Sequence, residues 1–262
     1  MRPSLLAVLA VAMTAPLGAC GGPAPPPLAT AADSLAFQIT EGAGGLAAWD
    51  ALRGLEFEWA VVRDSAELAR NRHVWDKHGD RARTEWRAGA DSVMVAVFTP
   101  STFDPDAPTG RVGLDGTELT GPAASERLVE AYGRFVNDGY WLLAPLKVFD
   151  PGVRRSLDTG SGFDRLAIAF DSVGLTPGDR YWIETDPVTG GMTGWSYILQ
   201  SGNEGAWEWL DPTELETKAG PVVLARTKVS ADGRSVIFTE PRALTEIDEA
   251  EFTDLMPRLS AR

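Results

Sequence analysis

The feature that most restricts this chain is a series of short runs with period-two alternation, spaced about ten residues apart and broken once by a long helical period. Leu55, Phe57, Trp59 and Val61 alternate with Glu56, Glu58 and Ala60, which predicts a strand with one apolar and one polar face. Strands are expected next over 68–77 and 81–87, the latter with Ala82, Thr84 and Trp86 on one face and Arg81, Arg83, Glu85 and Arg87 on the other. The run 91–99 is rich in Val, Met, Ala and Phe, as in a strand covered on both faces. Asp115-Gly116 is a two-residue hairpin signal between 111–114 and 117–120. Leu128, Ala131, Tyr132, Phe135 and Val136 then fall on one face of a helix expected to start at Pro122 and stop near Gly139. Strands resume over 163–171, 180–186, 192–200, 206–210, 222–229 and 235–240. A leading helix over 34–52, broken at Gly42-Ala43-Gly44-Gly45, and a tail helix over 246–255 complete the pattern. About eleven strands without βαβ alternation predict an α+β, mainly antiparallel fold, a meander that curls toward a barrel or sandwich. No linker or repeat divides 33–262, so one domain is expected there.

The first residues read as an address. Arg2 precedes an apolar run from Leu5 to Ala15, closed by Leu17-Gly18-Ala19-Cys20. Eleven helical residues reach ~16 Å, against ~30 Å of hydrocarbon, so this segment is not a membrane span. Leu-Gly-Ala-Cys resembles the lipobox of bacterial lipoproteins. That resemblance implies a signal peptide over 1–19, lipidation of Cys20, and a tether over 20–32, which here is rich in Gly, Pro and Ala and free of charge through Ala32. Gly21 after the Cys implies, by likeness to the enteric sorting rule, the outer membrane, with the domain facing the periplasm. The net charge of -13, from 24 basic and 37 acidic residues, opposes nucleic acid and anionic head groups, so attachment is expected through lipid. The single Cys excludes a disulfide framework.

Catalytic signals are sparse. His73 and His78 are the only histidines, their strand parity differs, and they are expected to be structural or surface groups rather than zinc ligands. Gly-x-Ser-x-Gly and Ser-x-x-Lys are absent from the sequence. Asp104 with Asp106, Glu184 with Asp186, and Glu214 with Glu216 have the i, i+2 spacing a glycosidase pair could use, but read better as solvated strand faces. Asp104-Pro105-Asp106 and Asp158-Thr159-Gly160 lack a calcium-loop ligand series, and no strand precedes Gly42-Ala43-Gly44-Gly45 to make it a dinucleotide fingerprint. No catalytic residue, metal or cofactor is expected, and the chain is read as not an enzyme.

Nine tryptophans carry more information. A sheet this broad is not filled by its own side chains, so helices must plug it or a ligand must occupy it. With this set of elements the sequence resembles the lipoprotein-sorting half-barrel superfamily typified by LolA and LolB, over about 31–262. Nearer still, it is similar to a group of bacterial lipoproteins of that fold, in Gly44-Gly45-Leu46-x-x-Trp49, Arg72-His73-Val74-Trp75-Asp76, Tyr140-Trp141-Leu142-Leu143-x-Pro145, Asp150-Pro151-Gly152 and Thr176-Pro177-Gly178-Asp179-x-Tyr181. Ala43 stands where such relatives would carry His before the Gly pair. The resemblance implies an open half-barrel whose helices cover the concave face, and an apolar cavity.

The expected function is non-enzymatic binding of a lipid or of the acyl chains of a lipoprotein. Trp59, Trp86, Phe98, Trp182 and Trp195 are the expected lining, and Tyr132, Phe135, Tyr140, Trp141 and Leu142 the expected lid. Partners are a lipid or acylated-protein ligand and the membrane, with no nucleic acid; no protein partner can be named from sequence. Two other readings stay open at this point. One is a carbohydrate-binding module or hydrolase using carboxylates and exposed tryptophans such as Trp207-Glu208-Trp209; the other is an envelope scaffold with a filled interior.

Overall fold

The alternation at Leu55, Phe57 and Trp59 lies on β1 (Gly54–Arg63), which is flanked on both sides: by β2 (Ala66–Asp76) and by the last strand of the chain, β13 (Arg234–Leu244). In the computed structural model, which describes residues 26–160, 164–170 and 178–259, the chain therefore begins its sheet in the middle. It steps outward through β3 (Arg81–Arg87), β4 (Val93–Phe98), β5 (Arg111–Leu114) and β6 (Thr117–Glu118) to one edge. Helix α3 (Gly121–Lys147) carries it to the opposite edge. From there β7 (Val153–Asp158), β8 (Arg165–Phe170), β9 (Arg180–Thr185), β10 (Met192–Ile198), β11 (Glu204–Leu215) and β12 (Val222–Ser230) lead back to β13. All thirteen strands form one antiparallel sheet in the order β6-β5-β4-β3-β2-β1-β13-β12-β11-β10-β9-β8-β7, and the two ends do not pair. Cys20, the leader and the first part of the tether lie outside the described residues, as does Thr176-Pro177.

This topology explains the curvature. Thirteen strands spaced ~4.8 Å apart would make a flat sheet ~58 Å wide. Helix α3 has 27 residues and, at ~1.5 Å each, is ~40 Å long. Its first half packs on β3, β4 and β5 and its second half reaches β12, so the sheet has to bend around it. The result is the expected open, curved antiparallel sheet with helices on the concave side, with thirteen strands rather than about eleven.

Local signals set most of the elements. Helix α1 (Ala31–Gly42) starts on a capping box, with the Thr30 hydroxyl accepting from the Asp33 amide and the Asp33 carboxylate accepting from the Thr30 amide, both at 3.1 Å. It breaks before α2 (Gly45–Ala51) at Gly44, whose φ is +104°. A side chain there would come within 2.1 Å of the Pro221 carbonyl oxygen, so close approach to β12 requires this glycine. Asp115 and Gly116 both have positive φ, as the β5–β6 hairpin turn needs. Strand β4 is covered on both faces: Met94, Ala96 and Phe98 under α3, and Val93 and Val95 under Leu255 and Leu259.

Three sequence expectations are corrected. Helix α3 does not stop near Gly139; it runs on to Lys147 because Leu142, Leu143 and Leu146 bury against α1 and the sheet, and nothing crowds Gly139. Strand β7 was not expected, since Val-Arg-Arg-Ser-Leu-Asp alternates weakly; it forms by pairing with β8. The strand expected over 163–171 is present as Arg165–Phe170, and residues 163 and 171 lie outside the described residues. The tail holds only one helical turn, α4 (Ala250–Thr253). Arg83, wholly buried on the convex face, donates to the carbonyls of Glu251, Asp254 and Met256, occupying acceptors a longer helix would use. The same convex patch pairs Arg72 with Glu56, Glu85 and Glu251. Burial pushes the Glu85 carboxyl up, but Arg83, the Leu259 amide and Arg72 outweigh it and hold it below the usual range.

Candidate functional site

Register assigns each strand residue to a face. Leu55, Phe57 and Trp59 lie opposite Trp75, His73 and Asn71 on β2, which lie opposite Ala82, Thr84 and Trp86 on β3. On the other wing Ile183 pairs with Trp195 and Tyr181 with Tyr197. These residues form the concave face. Between it and the second half of α3 lies a groove of about 720 Å³, in the size range of ligand sites. Phe57, Trp75, Tyr181, Trp195 and Tyr197 line it from the sheet, and Phe135, Tyr140 and Trp141 from the helix. The rings meet edge to face: Trp141 on Tyr197 at 6.4 Å, Tyr140 on Phe170 at 5.3 Å.

Polar groups stand at its margins. Asp179 accepts from the Tyr181 hydroxyl at 2.9 Å and the Gln200 amide at 2.8 Å, and Lys147 pairs with Asp150. Burial pushes the Tyr140 phenol well above its ordinary range, so it stays neutral at any physiological pH. An aromatic groove with a few charges at the rim suits a long apolar ligand with a polar end.

The residues singled out from sequence divide. Trp195, Tyr132, Phe135, Tyr140 and Trp141 line the groove. Leu142 points the other way and is 1% exposed in the core with α1. Phe98 and Trp86 are on the concave face but sealed beneath the first half of α3, Phe98 against Phe103, Tyr132 and Phe135, and Trp86 under the Arg134 guanidinium at 5.4 Å. Trp59 is also on the concave face, opposite Phe238. Trp182 is on the convex face, one residue out of phase with Ile183, and lies between Arg165 and Arg180. Trp207 and Trp209, the tryptophans a sugar platform would expose, are 6% exposed and face inward. The expected lining omitted Phe57, Trp75, Tyr181 and Tyr197. Phe57 shared parity with Trp59, and in the Tyr181-Trp182 pair the wrong ring was chosen.

Both histidines have structural roles. The His73 ring, wholly buried, has Nε2 2.8 Å from Asp138 Oδ2 on α3 and Nδ1 3.1 Å from the Thr84 hydroxyl. Asn71 donates to the same Asp138 oxygen at 2.7 Å and accepts from Arg134 at 3.1 Å. This Thr-His-Asp line has the order of a nucleophilic triad, yet Thr84 has no exposed surface, so what it does is pin α3 to β2 and β3. His78 is exposed on a turn, 2.8 Å from the Asp50 carbonyl oxygen. The paired carboxylates serve turns: Asp104 accepts from the Asp106 amide, and Asp186 from the amides of Val188 and Thr189. Glu214 and Glu216 are exposed.

No family model matches the chain, and no curated protein matches it. Among solved structures it is similar to a DUF1329 family protein from Desulfovibrio piger, at 9% identity and a TM-score of 0.44 over 84% of this chain and 94% of that one. It is similar to a domain from Vibrio parahaemolyticus assigned to outer membrane lipoprotein sorting, at 12% identity and a TM-score of 0.41 over 84% and 94% of the two chains. A LolA superfamily protein from Nitrosomonas europaea aligns at 11% identity and a TM-score of 0.34, over 83% of this chain and 96% of that one.

Proposed function

We propose that this chain is a lipid-anchored envelope protein that binds acyl chains, of a lipid or of an acylated protein, in the groove beside α3. The groove carries the proposal: about 720 Å³ bounded by aromatic rings on both walls. Each methylene buried there contributes about 0.8 kcal/mol, so a long chain could be held without any directed bond. The second half of α3, with Tyr140 and Trp141, forms the outer wall. The resemblance at Leu17-Gly18-Ala19-Cys20 supports lipidation of Cys20, and with it a periplasmic position at the outer membrane. The serine–carboxylate pair on the groove wall, Ser101 donating to Asp80, has no histidine hydrogen-bonded to either residue among the described residues, and the proposed role is binding rather than catalysis. A filled scaffold would have no use for such a groove, and buried Trp207 and Trp209 do not suit a sugar platform.

Native mass spectrometry of the mature chain purified from bacterial membranes tests this directly. Co-purified lipid or acylated peptide is the expected result, displaced by an added fluorescent fatty acid with a change in tryptophan emission. Protein that carries no lipid and takes up no fatty acid would end the acyl-binding reading. For the anchor, Cys20→Ser should move the protein to a soluble fraction or leave an uncleaved precursor; unchanged mass and fractionation would exclude lipidation.

A further inference from the structure

Phe57 on β1 and Trp195 on β10 are both part of the groove floor, and three strands separate them: β13, β12 and β11. At the centre of that interval, facing inward between Val236 on β13 and Trp209 on β11, is Lys228. Its side chain has no exposed surface. Its Nζ lies 4.3 Å from the ring centroids of both Trp209 and Phe238 and donates to the Ala225 carbonyl oxygen. Three other concave-side cations have carboxylates: Arg134 has Glu130, Lys147 has Asp150, Arg155 has Asp33. Lys228 forms no ion pair among the described residues, and burial pushes its ammonium well below the ordinary lysine range.

Apart from the Ala225 carbonyl, the indoles near it on the concave face supply donors and no acceptors. The indole N–H groups of Trp59, Trp207 and Trp209 are buried without a hydrogen-bond partner. An indole N–H can only donate, and a neutral amine can accept from one of them at most, so these groups cannot all satisfy one another. Buried donors without acceptors are costly, and three of them on the concave face, one packed against the amine, call for an oxygen-rich group from outside. The groove is one ring away on three sides. Trp209 is 6.2 Å from Trp195, Phe238 is 5.7 Å from Phe57, and Trp207 is 5.0 Å from Trp141.

The geometry points to a head-group seat: Lys228, with the indole N–H groups of Trp207, Trp209 and Trp59, receives the monoanionic oxygens of an acyl ligand whose chain lies in the groove. This inference rests on the acyl-binding reading and narrows it to ligands with a carboxylate or phosphodiester head. Tight burial of an anion against donors of this kind is favourable because charge-assisted hydrogen bonds to it replace none within the protein.

The test compares probes that share a chain and differ in charge: oleate against methyl oleate, and oleoyl lysophosphatidylglycerol against monooleoylglycerol. Each is titrated into the mature chain, with Cys20→Ser to remove the anchor, and followed by tryptophan emission. Wild-type protein should bind one or both anions about tenfold tighter than the neutral counterpart, and the pair that shows it identifies the carboxylate or the phosphodiester. Lys228→Met should abolish the preference and leave affinity for the neutral probes intact. Met fills the same volume and removes a buried charge, so the variant should melt no lower than wild type. If it fails to fold, Trp209→Phe keeps a ring and deletes one donor, and should lower the preference two- to threefold. Equal affinity for anionic and neutral probes in wild type, or a preference that survives in both variants, overturns the head-group seat while leaving the acyl groove in place. Failure of all four probes to bind overturns both.

Discussion

The two wings of the sheet lie under the same helix and carry the same kinds of side chain, yet one is sealed and the other is open. On the wing of β3, β4 and β5, the residues beneath α3 include Ala82, Thr84 and Ala96, and the helix contributes Ala131. Small residues let the helix settle close, and Phe98, Phe103, Tyr132 and Phe135 interlock at centroid distances of 4.3 to 6.0 Å. On the wing of β9, β10 and β11, the inward positions hold Tyr181, Trp195, Tyr197, Trp207 and Trp209. Rings on the sheet facing rings on the helix hold α3 away, and the groove is the space left between them. Aromatic content alone therefore does not mark a ligand cavity; the size of the facing residue does.

If that contrast is right, substitutions on the two wings should fail in different ways. The largest effect is expected from Phe98→Ala on the sealed wing, which should cost about 4 kcal/mol in urea denaturation with fatty-acid affinity of the folded fraction little changed. Comparable loss of binding at unchanged stability would show that Phe98 contacts ligand. Next, Asp138→Ala leaves the His73 ring and the Asn71 amide buried without their acceptor, and should lower stability by about 3 kcal/mol. A loss near zero would mean that α3 is not fastened through this network.

On the open wing the readout reverses. Tyr197→Asp should weaken fatty-acid uptake at least about tenfold while costing less stability than Phe98→Ala, because one side of the ring already faces the groove. Trp182→Ala, on the convex face, should leave uptake within about twofold, and a larger drop would contradict the assigned register. The smallest effect concerns acid. Hydrogen bonding by Arg70, with a further contribution from Arg87 and against the opposing cost of burial, holds the Glu67 carboxyl down at about 2 rather than 4.5. A depressed folded-state value contributes stability above the unfolded pKa and loses it as pH falls through the folded one. The stability gap between wild type and Glu67→Gln, roughly 1 kcal/mol at neutral pH, should therefore close between pH 4.5 and about 2. A gap independent of pH would show that the ion pairs contribute nothing.

What the sequence by itself determined was local. The alternation in β1, the Asp115-Gly116 turn, the glycine break between α1 and α2, the start of α3 just before Pro122 and its apolar stripe were all legible, because each follows from the period or φ preference of a few neighbouring residues. The mainly antiparallel class followed from their order, and its open form was implied by the family resemblance. Only the tertiary structure decided the rest. Strand β7 exists because β8 pairs with it, α3 continues past Gly139 because α1 and the sheet bury its last turns, and the tail stays mostly unwound because Arg83 holds its carbonyls. The same holds for the site. Trp182 and Tyr181 are one residue apart and lie on opposite faces, and only pairing with β10 says which one faces inward. Phe98 and Trp195 are both inward aromatics, and only the residue across from each, Ala82 for one and Trp207 for the other, separates a sealed core from a groove wall. A period is written in adjacent residues, whereas register and facing size are set by residues tens of positions away along the chain.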